Sequence, residues 1–190
     1  MKILFYHTAR FCKRSIITTG YVLLLLFYSC DHVNGQSKTA AEYQIKAVFL
    51  YNFTQFIDWP ATAYNSADDP FVIGIIGNNP FDHYLEEVVA EEKIGNHPIE
   101  VRYYRSIREI GNCHILYINS DDQGYVEKVL SSVAEKNILT VSDAPNFNRW
   151  GGIVRFFTEE NKIRLQINVE QSKAARLNIS SKLLSVAKTK

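Results

Sequence analysis

From residue 40 onward the apolar positions fall into two alternating periods. Over residues 40–59, Ile45, Val48, Phe49, Phe53, Phe56 and Ile57 recur at helical spacing, which predicts a heavily buried amphipathic helix stopped by Pro60. Residues 71–76 are a continuous apolar run, the pattern of a strand buried on both faces. Asn79 as N-cap and Pro80 at the first helical position then predict a helix through Leu85, Val88 and Val89. Residues 99–103 alternate as a strand, 107–110 read as one helical turn, and 113–118 form another apolar run. A second amphipathic helix is predicted over 125–135, and a short strand over 138–141 ends in Ser142 and Asp143.

Strands alternating with helices predict an α/β fold, with a mainly parallel central sheet and helices on both faces. The ending departs from that rhythm. Residues 152–158 and 162–169, joined by Glu159, Glu160 and Asn161, predict a C-terminal antiparallel hairpin at one edge of the sheet. Two short helical pieces follow, at 171–176 and 180–187, broken at 177–179.

The first 35 residues follow a different logic. Lys2, Arg10, Lys13 and Arg14 precede an apolar run at 21–28, and small and polar residues come next. That order is the one of a cleavable signal peptide, and the run falls short of the roughly 20 residues that span a bilayer. Two cleavage chemistries fit. Val33, Asn34 and Gly35 suit an ordinary cut before Gln36, whereas Phe27, Tyr28, Ser29 and Cys30 resemble a lipobox in which Cys30 carries a lipid. The expected organisation is a signal peptide at 1–35, a polar lead at 36–39 and one α/β domain at 40–190.

Export changes the charge that bears on partners. The chain has 21 Lys and Arg against 20 Asp and Glu, and removal of Lys2, Arg10, Lys13, Arg14 and Asp31 leaves 17 against 19, or −2. A near-neutral domain offers no electrostatic footprint for nucleic acid. Cys113 is then the remaining cysteine, so no internal disulfide is expected.

Candidate chemistry is sparse. Gly74 to Gly77 precede a helix, yet neither the dinucleotide nor the phosphate-loop pattern is present. His83, His97 and His114 lack ligand spacing, so no metal and no cofactor are expected. Ser142, Asp143 and His114 invite a hydrolase reading, but no nucleophile elbow positions the serine, and no catalytic residue is expected. Cys113 opens an apolar strand, the place of a small buried hydrophobe. Two sets remain. Gly77, Asn78, Asn79, Ser142 and Asp143 end strands where ligand crevices form in open α/β sheets. Phe147, Arg149 and Trp150 lie in an aromatic loop that either anchors a partner or folds back to cap the sheet.

Several blocks in order resemble one family. Tyr43 to Phe53, then Phe56, Ile57, Asp58, Trp59 and Pro60, are similar to the opening helix of the YfiR-like periplasmic proteins. Ile138 to Asp143, Gly151 to Val154, Ile167 with Asn168, and Leu177 to Leu184 resemble its closing signature. The resemblance implies a non-enzymatic periplasmic signalling regulator, commonly a homodimer, that binds and represses a membrane-bound diguanylate cyclase or joins a sensor kinase. It also implies an outer-membrane lipoprotein as a releasing partner. The alternative from the residues alone is a periplasmic small-molecule-binding sensor. Where the best-known member pairs cysteines to couple folding to redox state, Cys113 has no evident partner.

Overall fold

The computed structural model describes residues 34–189 apart from 65 and 67, and the side chains from residue 39 onward. Cys30 and nearly all of the expected signal peptide at 1–35 lie outside the described residues. Residues Ala41–Lys190 form one compact unit. The elements among the described residues are, in chain order, α1 (Asn34–Phe56), β1 (Ile57–Asp58), β2 (Phe71–Gly77), α2 (Tyr84–Val89), β3 (Lys93–Ile94), β4 (His97–Tyr104) and β5 (Ile115–Asn119). They continue with α3 (Gln123–Val133), β6 (Leu139–Ser142), β7 (Val154–Glu159), β8 (Lys162–Ile167), α4 (Val169–Ala174), β9 (Asn178–Ile179), α5 (Ser181–Val186) and β10 (Lys188–Thr189).

Eight strands make one sheet in the order β10-β8-β7-β6-β5-β2-β4-β3. The central strands β4, β2, β5, β6 and β7 are mutually parallel. β7 and β8 form the antiparallel hairpin that the sequence predicts. Its two-residue loop places Glu160 at φ 51° and Asn161 at φ 57°, the left-handed pair whose twist matches a hairpin. β2 is followed in sequence by β4 on one side, whereas β5 lies on the other. This reversal of direction defines the switch point at which open sheets form crevices.

Strand alternation sends side chains into two cores. Phe71, Ile73, Ile75, Ile115, Tyr117 and Val141 meet α1 and α2, while Val72, Ile76, Leu116 and Ile118 meet Val126, Val129 and Val133 of α3. Helices therefore cover both faces, as the uninterrupted apolar runs of β2 and β5 require.

Three local readings are corrected. The helix over 40–59 begins at Asn34 and ends at Phe56, so the polar lead at 36–39 is helical, consistent with good helix formers such as Gln36, Lys38, Ala40 and Ala41. Its buried stripe is Ala47, Leu50 and Phe53, whereas Ile45 is 49% and Val48 38% exposed. The segment is apolar on nearly every side, so its period leaves the phase of the stripe open, and packing against Phe156 of β7 decides it: Phe53 stacks on that ring at 6.1 Å and Phe49 lies at 5.9 Å. Asn79 is not the N-cap of α2, since His83 occupies that place. Its carboxamide oxygen instead accepts from the Phe81 N–H at 2.9 Å, a turn that Asn forms by mimicking the backbone.

A pairing that the sequence does not announce closes the molecule. Ile57 and Asp58 pair antiparallel with Ile179 and Asn178, converting the expected break at 177–179 into a strand and pinning the end of α1 to the C-terminal helices.

Candidate functional site

An open cleft of ≈ 470 Å³ lies beyond the carboxyl ends of β5 and β6, with Glu42, Tyr43, Lys46, Asn119, Asp143 and Arg155 among its lining residues. Its centre is an ammonium group brought from α1. Lys46 is only 2% exposed, and its Nζ donates to Asp143 Oδ2 at 2.7 Å and pairs with Glu42 Oε1 at 2.8 Å. The Tyr43 hydroxyl donates to the same Asp143 oxygen at 3.0 Å, and its ring lies 4.3 Å from the ammonium. The buried Tyr117 hydroxyl sits beside this carboxylate without a hydrogen bond of good geometry.

A buried charge is tolerated only when paired. Burial by itself would raise the Asp143 carboxyl, but the hydrogen bond and charge of Lys46, with help from Tyr43 and Tyr117, hold it below the usual carboxylate range. Burial would likewise lower the Lys46 ammonium, and the hydrogen bonds from Asp143 and Glu42 outweigh that effect and raise it. Both groups are therefore charged through the neutral range. Tyr43 is shifted up by burial and by the Asp143 charge, so it stays a donor.

The predicted crevice residues divide. Asp143 lines the cleft, and Asn119 beside it donates to the Asn78 carbonyl at 2.8 Å, which ties the β2 turn to the cleft wall. Gly77 has φ 98°, and a Cβ there would meet the Asn119 carbonyl oxygen at 2.4 Å, so only glycine fits this close approach. Asn79 turns away, donating to the Asp82 carbonyl at 2.8 Å and to the Tyr103 hydroxyl at 3.3 Å. Ser142 is fully buried, donating to the Ile118 carbonyl at 2.7 Å and accepting from the Ala144 N–H at 3.2 Å. It is a structural hydroxyl outside the cleft, because side chains alternate faces along β6.

His114 precedes β5 at its amino end, whereas Ser142 closes β6 at its carboxyl end, and the two strands are parallel. A hydrolase pairing is thereby excluded by topology. His114 Nδ1 accepts from the Val72 N–H at 3.0 Å, and the ring stacks 4.4 Å from Phe71. Burial pushes its pKa down to about 4 against the opposing Ala63 carbonyl, so it is a neutral core histidine. The Cys113 thiol, also buried, is pushed up to about 12 by desolvation.

Of the aromatic loop, Phe147 folds back. It is fully buried with Ala144 and Ile118, and a Cβ on Gly152 would meet its ring at 2.2 Å. As a partner anchor Phe147 is thus corrected to a cap on the sheet, driven by the burial of a whole aromatic side chain. Arg149 is exposed and Trp150 half-buried. Sequence reasoning missed Glu42, Tyr43 and Lys46 as site residues. Their signal was a lysine on a strongly apolar helix, a position that needs a buried counter-ion.

The comparisons with known proteins bear on residues 43–188, which a family model described as YfiR/HmsC-like matches. No curated protein matches the chain.

Proposed function

The chain belongs to the YfiR/HmsC-like family, and from that premise we propose that it works by contact, binding the periplasmic region of an inner-membrane signalling protein and holding it in one state. The family is one of periplasmic regulators of cyclic-di-GMP signalling. A regulator that binds shifts its receptor only by its differential affinity for the receptor's two states. The proposed receptor is a diguanylate cyclase or a sensor kinase, with an outer-membrane lipoprotein as a second partner and a homodimer as the acting form. Export through the segment at 1–35, or anchorage through Cys30, brings the chain to that compartment.

The observation that carries this reading is the match over 43–188, and the exposed Arg149 and half-buried Trp150 supply the residue types that dominate contact energies. Deleting the gene and measuring cyclic-di-GMP tests it. The level is expected to change and to be restored by the wild-type gene but not by a copy lacking residues 1–35. An unaltered level, with unaltered surface attachment, overturns the reading.

A second reading, a periplasmic small-molecule sensor, draws on the ≈ 470 Å³ cleft around Asp143. Ligands prefer such concave sites with a few convergent polar groups. A thermal-shift screen of periplasmic metabolites tests it, because a bound ligand raises the melting temperature by mass action.

A further inference from the structure

Arg155 borders two cavities. One is the cleft of Lys46 and Asp143, and the other, of ≈ 280 Å³, is lined by Pro145, Asn146, Asn148, Arg149, Arg155 and Gln166. Two guanidinium groups and three carboxamides thus line this second cavity, and no carboxylate does. Among the described residues there are four ion pairs, and neither Arg149 nor Arg155 belongs to any of them. Arg155 Nη1 donates to a neutral acceptor, Gln166 Oε1, at 3.2 Å, and its guanidinium lies 5.4 Å from the Phe157 ring centroid. Its Nε is buried and has no hydrogen-bond partner.

A desolvated donor on a cation costs free energy until an acceptor is supplied, and the best acceptor for a planar guanidinium is an oxyanion that takes two N–H groups at once. The surrounding loop is already fixed. Asn148 Nδ2 donates to the Ile153 carbonyl at 2.9 Å, and Asn168 Nδ2 donates to the Asn148 carbonyl at 3.3 Å, so little ordering remains to oppose binding at Arg149.

We propose that this cavity binds a small carboxylate- or phosphate-bearing molecule, with Arg149 and Arg155 as its two charged contacts. The volume of ≈ 280 Å³ falls just below the range of drug-sized ligand pockets, roughly 300 to 1,000 Å³, and suits a compact polyanion better than a nucleotide. The Asp143 carboxylate does not fill the role, since its ion pair is with Lys46 and none joins it to Arg155 among the described residues. The cavity shares Arg155 with the Lys46 cleft and Arg149 with the docking reading, but anion binding by the purified chain is read separately from cyclic-di-GMP in cells.

Isothermal titration of the full chain with citrate and with inorganic phosphate, at an ionic strength fixed with chloride, tests the proposal, alongside sedimentation with phosphatidylglycerol vesicles. Saturable binding of at least one soluble anion is expected, weakened about tenfold or more in Arg149→Ala and in Arg155→Met, the loss of one charge-assisted contact. Circular dichroism melting of each variant close to wild type shows that the fold persists, and Arg149→Ala, at an exposed position, keeps the test open if Arg155→Met unfolds. Binding of neither anion, equal binding by wild type and Arg149→Ala, or binding to vesicles alone overturns it.

Discussion

Lys46 and Asp143 stand 97 positions apart in the chain and meet at 2.7 Å, the ammonium buried and the carboxylate at the rim of the cleft. Removing either partner strands the other in a poorly hydrated place. Lys46→Met and Asp143→Asn are each expected to lower unfolding free energy by about 3 kcal/mol, the cost of breaking a buried pair. The double variant should cost less than the sum, because both changes remove one interaction. Urea titration of the four proteins measures this cycle.

Stability should depend on pH through two depressed groups, both of which weaken the fold as pH falls. Asp143 is held below its ordinary value, so its contribution is complete above pH 4 and is lost as pH falls through the folded value. His114 is depressed to about 4 from 6.5, so the unfolded chain takes up its proton first, and stability is expected to decline as pH drops from 6.5 towards 4. Thermal melts across this range check the effect, and His114→Gln should flatten the decline without touching the part that belongs to Asp143.

The phase of α1 is testable by paired substitutions on one helix. Leu50→Ala, at a fully buried position, is expected to cost about 2–5 kcal/mol. Ile45→Ser, half-exposed, should stay within about 0.5 kcal/mol. Equal effects in chemical denaturation would contradict the packing described.

Cys113 should be inert in the folded chain. With its thiol pushed up to about 12, labelling by a maleimide at pH 8 is expected only at the rate of unfolding, since the thiolate is the reactive form. Labelling within seconds under native conditions would show a different environment.

Gly152→Ala should disturb the loop from Asn146 to Gly151 more than its one methyl group suggests. The added carbon meets the Phe147 ring at 2.2 Å, and overpacking of this kind costs about 1–3 kcal/mol. Fluorescence of Trp150, three residues along, reports the displacement.

The sheet was legible from the sequence because each central strand is a short apolar run bounded by turn residues, and β2, β5 and β6 need no information beyond that. The hairpin at Glu160 and Asn161 was legible for the same reason, since a local turn sets its register. The stripe on α1 was not, because Ile45, Val48, Phe49, Leu50 and Phe53 are all apolar and only the shape of the facing sheet chooses among them. The site was half legible. Asp143 stood out as a carboxylate after a buried strand, but Lys46 and Tyr43 are named only by the long-range contact that brings them there. The pairing of Ile57 with Ile179 has no local signature, as strands of two residues carry almost no period.

That last pairing has a consequence for how the molecule is made. Its first helix is sealed by residues translated about four-fifths of the domain later, so a nascent chain cannot complete its structure until the tail has emerged. A nascent polypeptide halted before position 179 leaves α1 without its clasp, open to holding chaperones and to proteolysis.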